Sequence, residues 1–333
     1  MDIQVFNPYL FYKKPLNLSK KSLKTFTSIN SYKSSKKTIV TIGTFDGVHL
    51  GHFQILKKLV ENSKVEDCES LVLTFFPHPR MVLQDNSEIK LLNTIAEKSI
   101  LLEKIGIDNL IIHPFDKEFS RLSAEEFVEE ILIKKFKVQK IVIGYDHRFG
   151  RNRTADFETL QEFGVQYGFE VEQITAQQVN DISISSTKIR TAIVEGNINL
   201  ANQYLGYKYS ITGTVVKGKQ LGRTIGFPTA NIKIKEDYKL IPKNGVYVVN
   251  CLIKEKIYSG MMNIGNRPTV DGTNTTIEVN IFDFDQEIYE EQITVEFLDF
   301  IRDEQKFDSI DDLKNQIQKD KTTSLNYLNK QKI

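Results

Sequence analysis

Two histidines spaced three apart, His49 and His52, stand among glycines in Asp46-Gly47-Val48-His49-Leu50-Gly51-His52. An apolar run, 38–45, leads into them, and helix-like residues 53–60 follow. Gly47 and Gly51 permit a tight turn and close approach of backbone to a ligand. The helix behind them points unpaired N–H groups and its positive dipole end at the same spot, which makes a ready anion site. Two imidazoles at that mouth can both face a phosphate and, as donors, stabilise charge developing on phosphorus during in-line displacement. From these residues alone two other readings stay open. The histidines could merely cap the helix or pack on it, or an H-x-x-H pair could hold a metal, although no Cys or third His lies nearby to complete a zinc set.

A second stretch with chemical potential is Gly218-Lys219-Gln220-Leu221-Gly222-Arg223-Thr224-Ile225-Gly226-Phe227-Pro228-Thr229-Ala230-Asn231. Three glycines at intervals of four between strand-like segments give a loop whose backbone can wrap a polyphosphate. Thr229 and Asn231 are oxygen ligands two apart on the same side of an extended chain, suited to a magnesium–nucleotide site. A glycine-rich hairpin turn explains the same pattern equally well. Gly213 to Lys219 narrowly misses a Walker A loop, but Gln220 stands where Ser or Thr is required and the segment lies on a strand pattern, so that reading fails.

These segments must be carried by two kinds of scaffold. From 38 onward strands alternate with helices: strand-like 70–76, helix-like 95–105 opened by a Thr94/Glu97 capping box, strand-like 109–115, helix-like 124–136, strand-like 140–145, helix-like 155–167 and extended 169–174. That order predicts a parallel sheet covered on both faces, with ligands at the carboxyl ends of its strands. After a helical stretch, 185–205, the pattern becomes six short strands, 209–216, 229–234, 245–253, 256–264, 276–284 and 292–301, and then a last helix from Ser309. This predicts an antiparallel barrel or sandwich. The domains expected are a lead-in of no assigned role over 1–37, an α/β domain over 38–205 and a β domain over 206–333. The lead-in is lysine-rich and reads as solvated.

Length and composition agree. The chain has 333 residues, enough for two domains, with 44 Lys+Arg against 43 Asp+Glu and a formal charge of +1. A polycation built to grip nucleic acid or an acidic membrane is therefore not expected. Two cysteines, Cys68 and Cys251, lie far apart and imply no disulfide framework, so a reducing cytoplasm is the expected location. No apolar run approaches the ~20 residues of a membrane span, and no signal-peptide core is seen.

Gly43-Thr44-Phe45-Asp46-Gly47-Val48-His49-Leu50-Gly51-His52 resembles the HxGH signature of nucleotidyltransferases in the extended form GxFDGVHxGH. That form is similar to the FMN adenylyltransferase module of bacterial bifunctional riboflavin kinase/FAD synthetases. Phe76-Pro77-His78-Pro79 resembles that family's FxPHP turn. Gly144-Tyr145-Asp146-His147-Arg148-Phe149-Gly150 is similar to its GxDFxFG segment, with His147 where many relatives carry Phe. Ile184-Ser185-Ser186-Thr187-Lys188-Ile189-Arg190 resembles the ISSTxIR motif of a phosphate-gripping loop. In the second half, GRTIGFPTAN resembles the riboflavin kinase signature, joined by Asn244-Gly245-Val246-Tyr247 and by Met262 to Thr269. Glu278 falls where that family has its general base, and Arg302 and Phe307 match its end pattern.

The resemblance implies a Rossmann-like nucleotidyltransferase domain followed by a six-stranded barrel with a terminal helix. It implies that His49, His52 and Arg190 serve adenylyl transfer, with Gly43, Phe45, Asp46, Gly51, Asp146, Arg148, Ser185, Ser186, Thr187 and Lys188 binding ATP or its phosphates. Glu278 is the implied kinase base. Gly218, Lys219, Gly222, Arg223, Gly226, Pro228, Thr229 and Asn231 are the implied kinase ATP site, with Mg2+ on Thr229 and Asn231. Riboflavin, FMN and ATP are the expected substrates, with no nucleic-acid or membrane partner and an oligomeric state left open, monomer or transient oligomer. Two competing readings are another adenylyl- or cytidylyltransferase with a barrel of different purpose, and a nucleotide-sensing protein whose barrel grips RNA. The PTAN element with Glu278 disfavours the first. The charge-neutral second half disfavours the second, because RNA-binding barrels want aromatic platforms on a basic groove.

Overall fold

The computed structural model describes residues 22–33, 36–84, 88–145, 147–175, 184–218, 220–269 and 272–331. The chain divides into two compact units, Met1–Ser186 and Thr187–Ile333. In the first unit, strands β1 (Lys24–Phe26), β2 (Thr38–Ile42), β3 (Glu69–Phe75), β4 (Asn109–His113), β5 (Val138–Gly144) and β6 (Glu170–Ile174) form one sheet in the order β1-β4-β3-β2-β5-β6. Every pairing is parallel. The central strand β2 is buried at all five positions, as a strand covered on both faces must be.

Helices α1 (Leu50–Val65), α2 (Ile95–Ile105) and α3 (Phe157–Tyr167) supply part of the cover, with a shorter helical segment, Ala124–Glu126 running on into the π-helix Phe127–Ile133. The Thr94/Glu97 capping box forms as expected: Glu97 N donates to Thr94 Oγ1 at 3.1 Å and Thr94 N to Glu97 Oε2 at 2.9 Å. Gly106 ends the helix in the left-handed conformation, φ 95°. By contrast α1 starts three residues before the expected position. His49 is its N-cap and accepts from His52 N. Histidine is not among the usual capping types, so the sequence carries no start signal there.

The segment before Thr38 is a second correction. Residues expected to be solvated lead-in instead contribute β1, paired with β4, and a 3-10 turn, Ile29–Ser31. Ile29 and Tyr32 are buried, and Tyr32 makes edge contacts with Phe26 and Phe136 at 5.1 and 5.7 Å between ring centroids. A three-residue strand is too short for periodicity to reveal. Residues 1–21 lie outside the described residues.

From Ser186, the last residue of the first unit, the chain forms two helices, α4 (Ser186–Val194) and α5 (Ile198–Leu205), which open the second unit. Buried Asn202 joins α5 to the strands, donating to Phe297 O at 3.0 Å and accepting from Tyr209 N at 2.7 Å. Strands β7 (Ser210–Val216), β8 (Ala230–Lys233), β9 (Gly245–Ile253), β10 (Lys256–Thr269), β11 (Gly272–Ile281) and β12 (Gln292–Arg302) close an antiparallel barrel in the order β10-β11-β8-β7-β12-β9. Strand β10 runs five residues beyond its expected end and β11 begins four earlier, so the two form one long hairpin. Helix α6 (Ile310–Lys330), capped by Ser309, lies against β9, β10 and β12. No helix among the described residues is long and apolar enough to cross a membrane.

Arg302 at the end of β12 fastens α6 to the barrel. Its guanidinium donates from Nε to both Asp320 carboxylate oxygens, at 3.0 and 3.1 Å, and from Nη2 to Oδ2 at 2.7 Å. The Asp320 side chain is only 4% exposed and that of Arg302 17%. Asp320→Ala strands a largely buried guanidinium and should destabilise the second unit by about 3–5 kcal/mol. A urea midpoint unchanged from that of the parent would contradict this role.

Candidate functional site

Strand order fixes where the first unit can bind a ligand. From β2 the chain proceeds one way to β3 and β4, then returns to place β5 on the other side. The order therefore reverses between β2 and β5, and the crevice at their carboxyl ends is the place where open parallel sheets take ligands. The loop leaving β2 is 43–49, and the segment leaving β5 begins at Tyr145. The motif-bearing residues therefore lie where the topology opens the sheet.

The 43–49 loop is tightly wound. Phe45, Gly47 and Val48 all have positive φ, at 44°, 87° and 37°. Gly47 takes that conformation without strain, whereas Phe45 and Val48 need outside support. The ring of Phe45 lies over Gly43, where any added Cβ would be 3.1 Å from it. Asp46 turns inward, its buried carboxylate accepting from Leu92 N at 2.9 Å and Asn93 N at 3.4 Å. Its carbonyl accepts from Ser186 Oγ at 2.8 Å. Asp46 thus anchors the loop through its side chain.

His49 and His52 meet in parallel stacking, ring centroids 3.7 Å apart and planes 18° apart, with Phe45 edge-on to His52 at 5.2 Å. His49 Nδ1 accepts from His52 N at 3.4 Å, which leaves the proton of a neutral ring on Nε2 as a donor. Burial pushes the His49 pKa down to about 4. Burial also holds that of His52 well below its ordinary value, helped by the neighbouring His49 and Lys98. Both rings are therefore neutral at pH 7, and Nδ1 of His52 is buried with no hydrogen-bond partner among the described residues. Neutral imidazoles at a helix N-terminus are N–H donors for a phosphate, and the capping reading is compatible with that role. Gly51 sits in the first turn of α1 between them.

The remaining expected residues divide. Arg148 is exposed and pairs with Asp156 at 3.5 Å. His147 lies with its ring 21° from the plane of Phe149, centroids 6.1 Å apart, so an aromatic contact is made there by imidazole. His78 caps the short helix Pro79–Leu83, accepting from Arg80 N at 3.1 Å. Ser185 precedes α4 and Ser186 opens it. Thr187, Lys188 and Arg190 follow on α4 in the second unit, the first two exposed. Asp146 and Lys219 lie outside the described residues.

In the barrel, β11 is paired on both sides so that Glu278 faces Asn231 of β8 and Asn263 of β10 in register. Ile277 and Val279 are buried on the opposite face, as the alternation predicted. Thr229 Oγ1 donates to Glu278 Oε2 at 3.2 Å. Gly218 packs against the Asn231 amide so closely that a Cβ would collide with it. Gly218, Gly222, Thr229, Asn231 and Glu278 thus converge. The loop is not wholly irregular: Leu221–Thr224, including Gly222 and Arg223, form one helical turn, closed by Phe227 N donating to Gly222 O at 2.8 Å. Gly226 follows at φ 86°.

Sequence reasoning missed two supports. Asn280 Nδ2 donates to Pro228 O at 2.7 Å and so pins the turn that carries Thr229. It shares a face with Glu278 by period two, which was a usable signal. Lys98, buried on α2, donates from Nζ to Thr44 O at 2.6 Å. Nothing in its local sequence marks it.

Known proteins supply the remaining link. A family model described as FAD synthetase matches residues 31–188, and one described as riboflavin kinase matches residues 205–328. The bifunctional riboflavin kinase/FMN adenylyltransferase of Escherichia coli K12 is 38% identical over 86% of this chain and 91% of its own. That of Haemophilus influenzae is 40% identical over 87% and 94%. A solved structure from Streptococcus pneumoniae, described as a macrolide-efflux protein, is 33% identical with a TM-score of 0.84, covering 91% of this chain and 99% of that one. With one family model on each part of the chain and relatives 38–40% identical over most of it, the chain belongs to the bifunctional riboflavin kinase/FMN adenylyltransferase family.

Proposed function

We propose that the two units perform successive reactions with the residues gathered above. The barrel phosphorylates riboflavin with ATP to give FMN, and the α/β unit transfers AMP from a second ATP to FMN, giving FAD and pyrophosphate. The observation that carries the residue assignment is the pair of separate clusters, neutral stacked imidazoles on one fold and Thr229–Asn231–Glu278 on the other. The location we infer is the cytoplasm, where the free thiols Cys68 and Cys251 stay reduced.

In the kinase step, Glu278 accepts the proton of the riboflavin 5′-hydroxyl as that oxygen attacks the γ-phosphorus and ADP leaves. Thr229, hydrogen-bonded to the same carboxylate, orients it. Gly218 lets the loop backbone approach the phosphates because no side chain stands between it and Asn231. Thr229 and Asn231 offer neutral oxygens, and no group of three His, Cys, Asp or Glu side chains is clustered for a metal among the described residues. That set fits Mg2+ carried in with ATP, since Mg2+ favours oxygen ligands shared with substrate phosphates. When bound, it would neutralise charge on the transferred phosphoryl group.

In the adenylylation step, an FMN phosphate oxygen attacks the α-phosphorus of ATP and the bond to pyrophosphate breaks. No covalent enzyme intermediate is required, because the FMN phosphate is itself the nucleophile. His49 and His52 donate N–H hydrogen bonds to the charge that builds on the transferring group and leaving pyrophosphate. The N-terminus of α1 adds its dipole, and Ser185 and Ser186 are proposed phosphate contacts.

His49→Ala should slow FMN-to-FAD conversion by ~10²–10³ while leaving riboflavin phosphorylation near the parental rate. Glu278→Gln should slow riboflavin phosphorylation by ~10²–10⁴ and spare adenylylation of supplied FMN. Both are read by chromatographic separation of flavins with riboflavin or FMN as the starting substrate. Loss of both activities from either substitution, in folded protein, would overturn this division of labour.

A further inference from the structure

Lys98 lies beneath the histidine loop with 3% of its surface exposed. Its Nζ contacts two neutral groups, Thr44 O at 2.6 Å and Thr74 Oγ1 at 3.5 Å, and no carboxylate pairs with it among the described residues. Thr74 Oγ1 also donates to Thr44 O, at 3.2 Å. The Thr44 carbonyl, at the root of the loop, is thus gripped from β3 and from α2. The backbone just ahead of α2 takes the same loop again, where Leu92 N and Asn93 N hold the Asp46 carboxylate. Burying an ammonium with no carboxylate in direct contact, only Asp46 acting at a distance, is costly, and a methionine or leucine would fill the same space at lower cost. A charge retained in such a place points to use.

We propose that Lys98 is a positioning residue for adenylyl transfer, its ammonium clamping the root of the histidine loop and setting a fixed positive charge behind the imidazoles where polyphosphate binds. This rests on the reading of His49 and His52 as the adenylylation site. Two consequences follow from the geometry. The clamp keeps Phe45 and Val48 in their strained conformations, so that the imidazoles stay stacked at the α1 N-terminus. The charge disfavours protonation of His52 and so preserves a neutral donor. The titratable groups facing Lys98 are Asp46 from the loop and His52 from α1, with His49 stacked beyond, while β3 offers only the neutral Thr74. Burial brings the Lys98 pKa down to about 8 against the opposing pull of Asp46. The ammonium is therefore present below about pH 8 and is lost as pH rises through that value.

The test uses the full chain supplied with FMN and ATP. For the parent, kcat/KM for ATP in FAD formation should fall above about pH 8, since that ratio reports the free enzyme. Lys98→Met should cut this ratio about tenfold or more at pH 7 and abolish the alkaline limb, with riboflavin phosphorylation unchanged within about twofold. Lys98→Arg, which keeps the charge but does not titrate, should move the limb out of range. A parental profile flat to about pH 9.5, or a Lys98→Met variant with parental rate and limb, would overturn the proposal. Should Lys98→Met not fold, the parental and Lys98→Arg profiles decide. An inactive His49→Ala beside an unaffected Lys98→Met would remove only the Lys98 role, whereas an active His49→Ala would remove the site reading beneath it.

Discussion

The hydrogen bonds from Leu92 N and Asn93 N to the Asp46 carboxylate hold the turn on which the first site depends. That turn contains two non-glycine residues, Phe45 and Val48, in the left-handed region. Each costs on the order of 1–3 kcal/mol. Hydrogen bonds to a buried carboxylate contribute about 1.5–3 kcal/mol each, so two of them are of the size needed to offset the strain. With the turn fixed, His49 becomes the N-cap of α1 and His52 must lie one turn on, face to face with it. Burial then keeps both rings neutral. The chemistry of the site is thus a consequence of backbone held against its preference.

The barrel reaches its site by register instead. Strand β11 is paired to β8 and β10, so sliding either neighbour by one residue would turn Glu278 away from Asn231 or Asn263. Asn280, two residues along the same face, fastens the Pro228 carbonyl and keeps Thr229 within hydrogen-bonding reach of Glu278. A closed barrel has no free edge along which that register could slip. The two units therefore fix their clusters by different means, a strained turn in one case and strand pairing in the other.

Much of this was legible in the residues. The strand–helix alternation, the Thr94/Glu97 box and the Ser309 cap are local signals, and each corresponds to an element within a few residues. The alternation around Glu278 correctly put Ile277 and Val279 on the other face. What could not be read was non-local. The short β1 carries too few residues to show a period, and its place is set by pairing with β4 and by Tyr32 packing on Phe136. The start of α1 was hidden because a histidine caps it. Asp46 resembled a ligand contact, and its carboxylate also accepts from two amides of a distant segment, which no local pattern shows. Lys98 is one more polar residue in an amphipathic helix until folding brings it under Thr44.

The central claim is that one chain runs two phosphate-transfer reactions in sequence, each at its own cluster. The most direct measurement is the time course of flavins when the purified protein is given riboflavin, ATP and Mg2+. FMN should form first and FAD should follow after a lag, with no lag when FMN replaces riboflavin. A mixture in which neither FMN nor FAD appears would contradict the account.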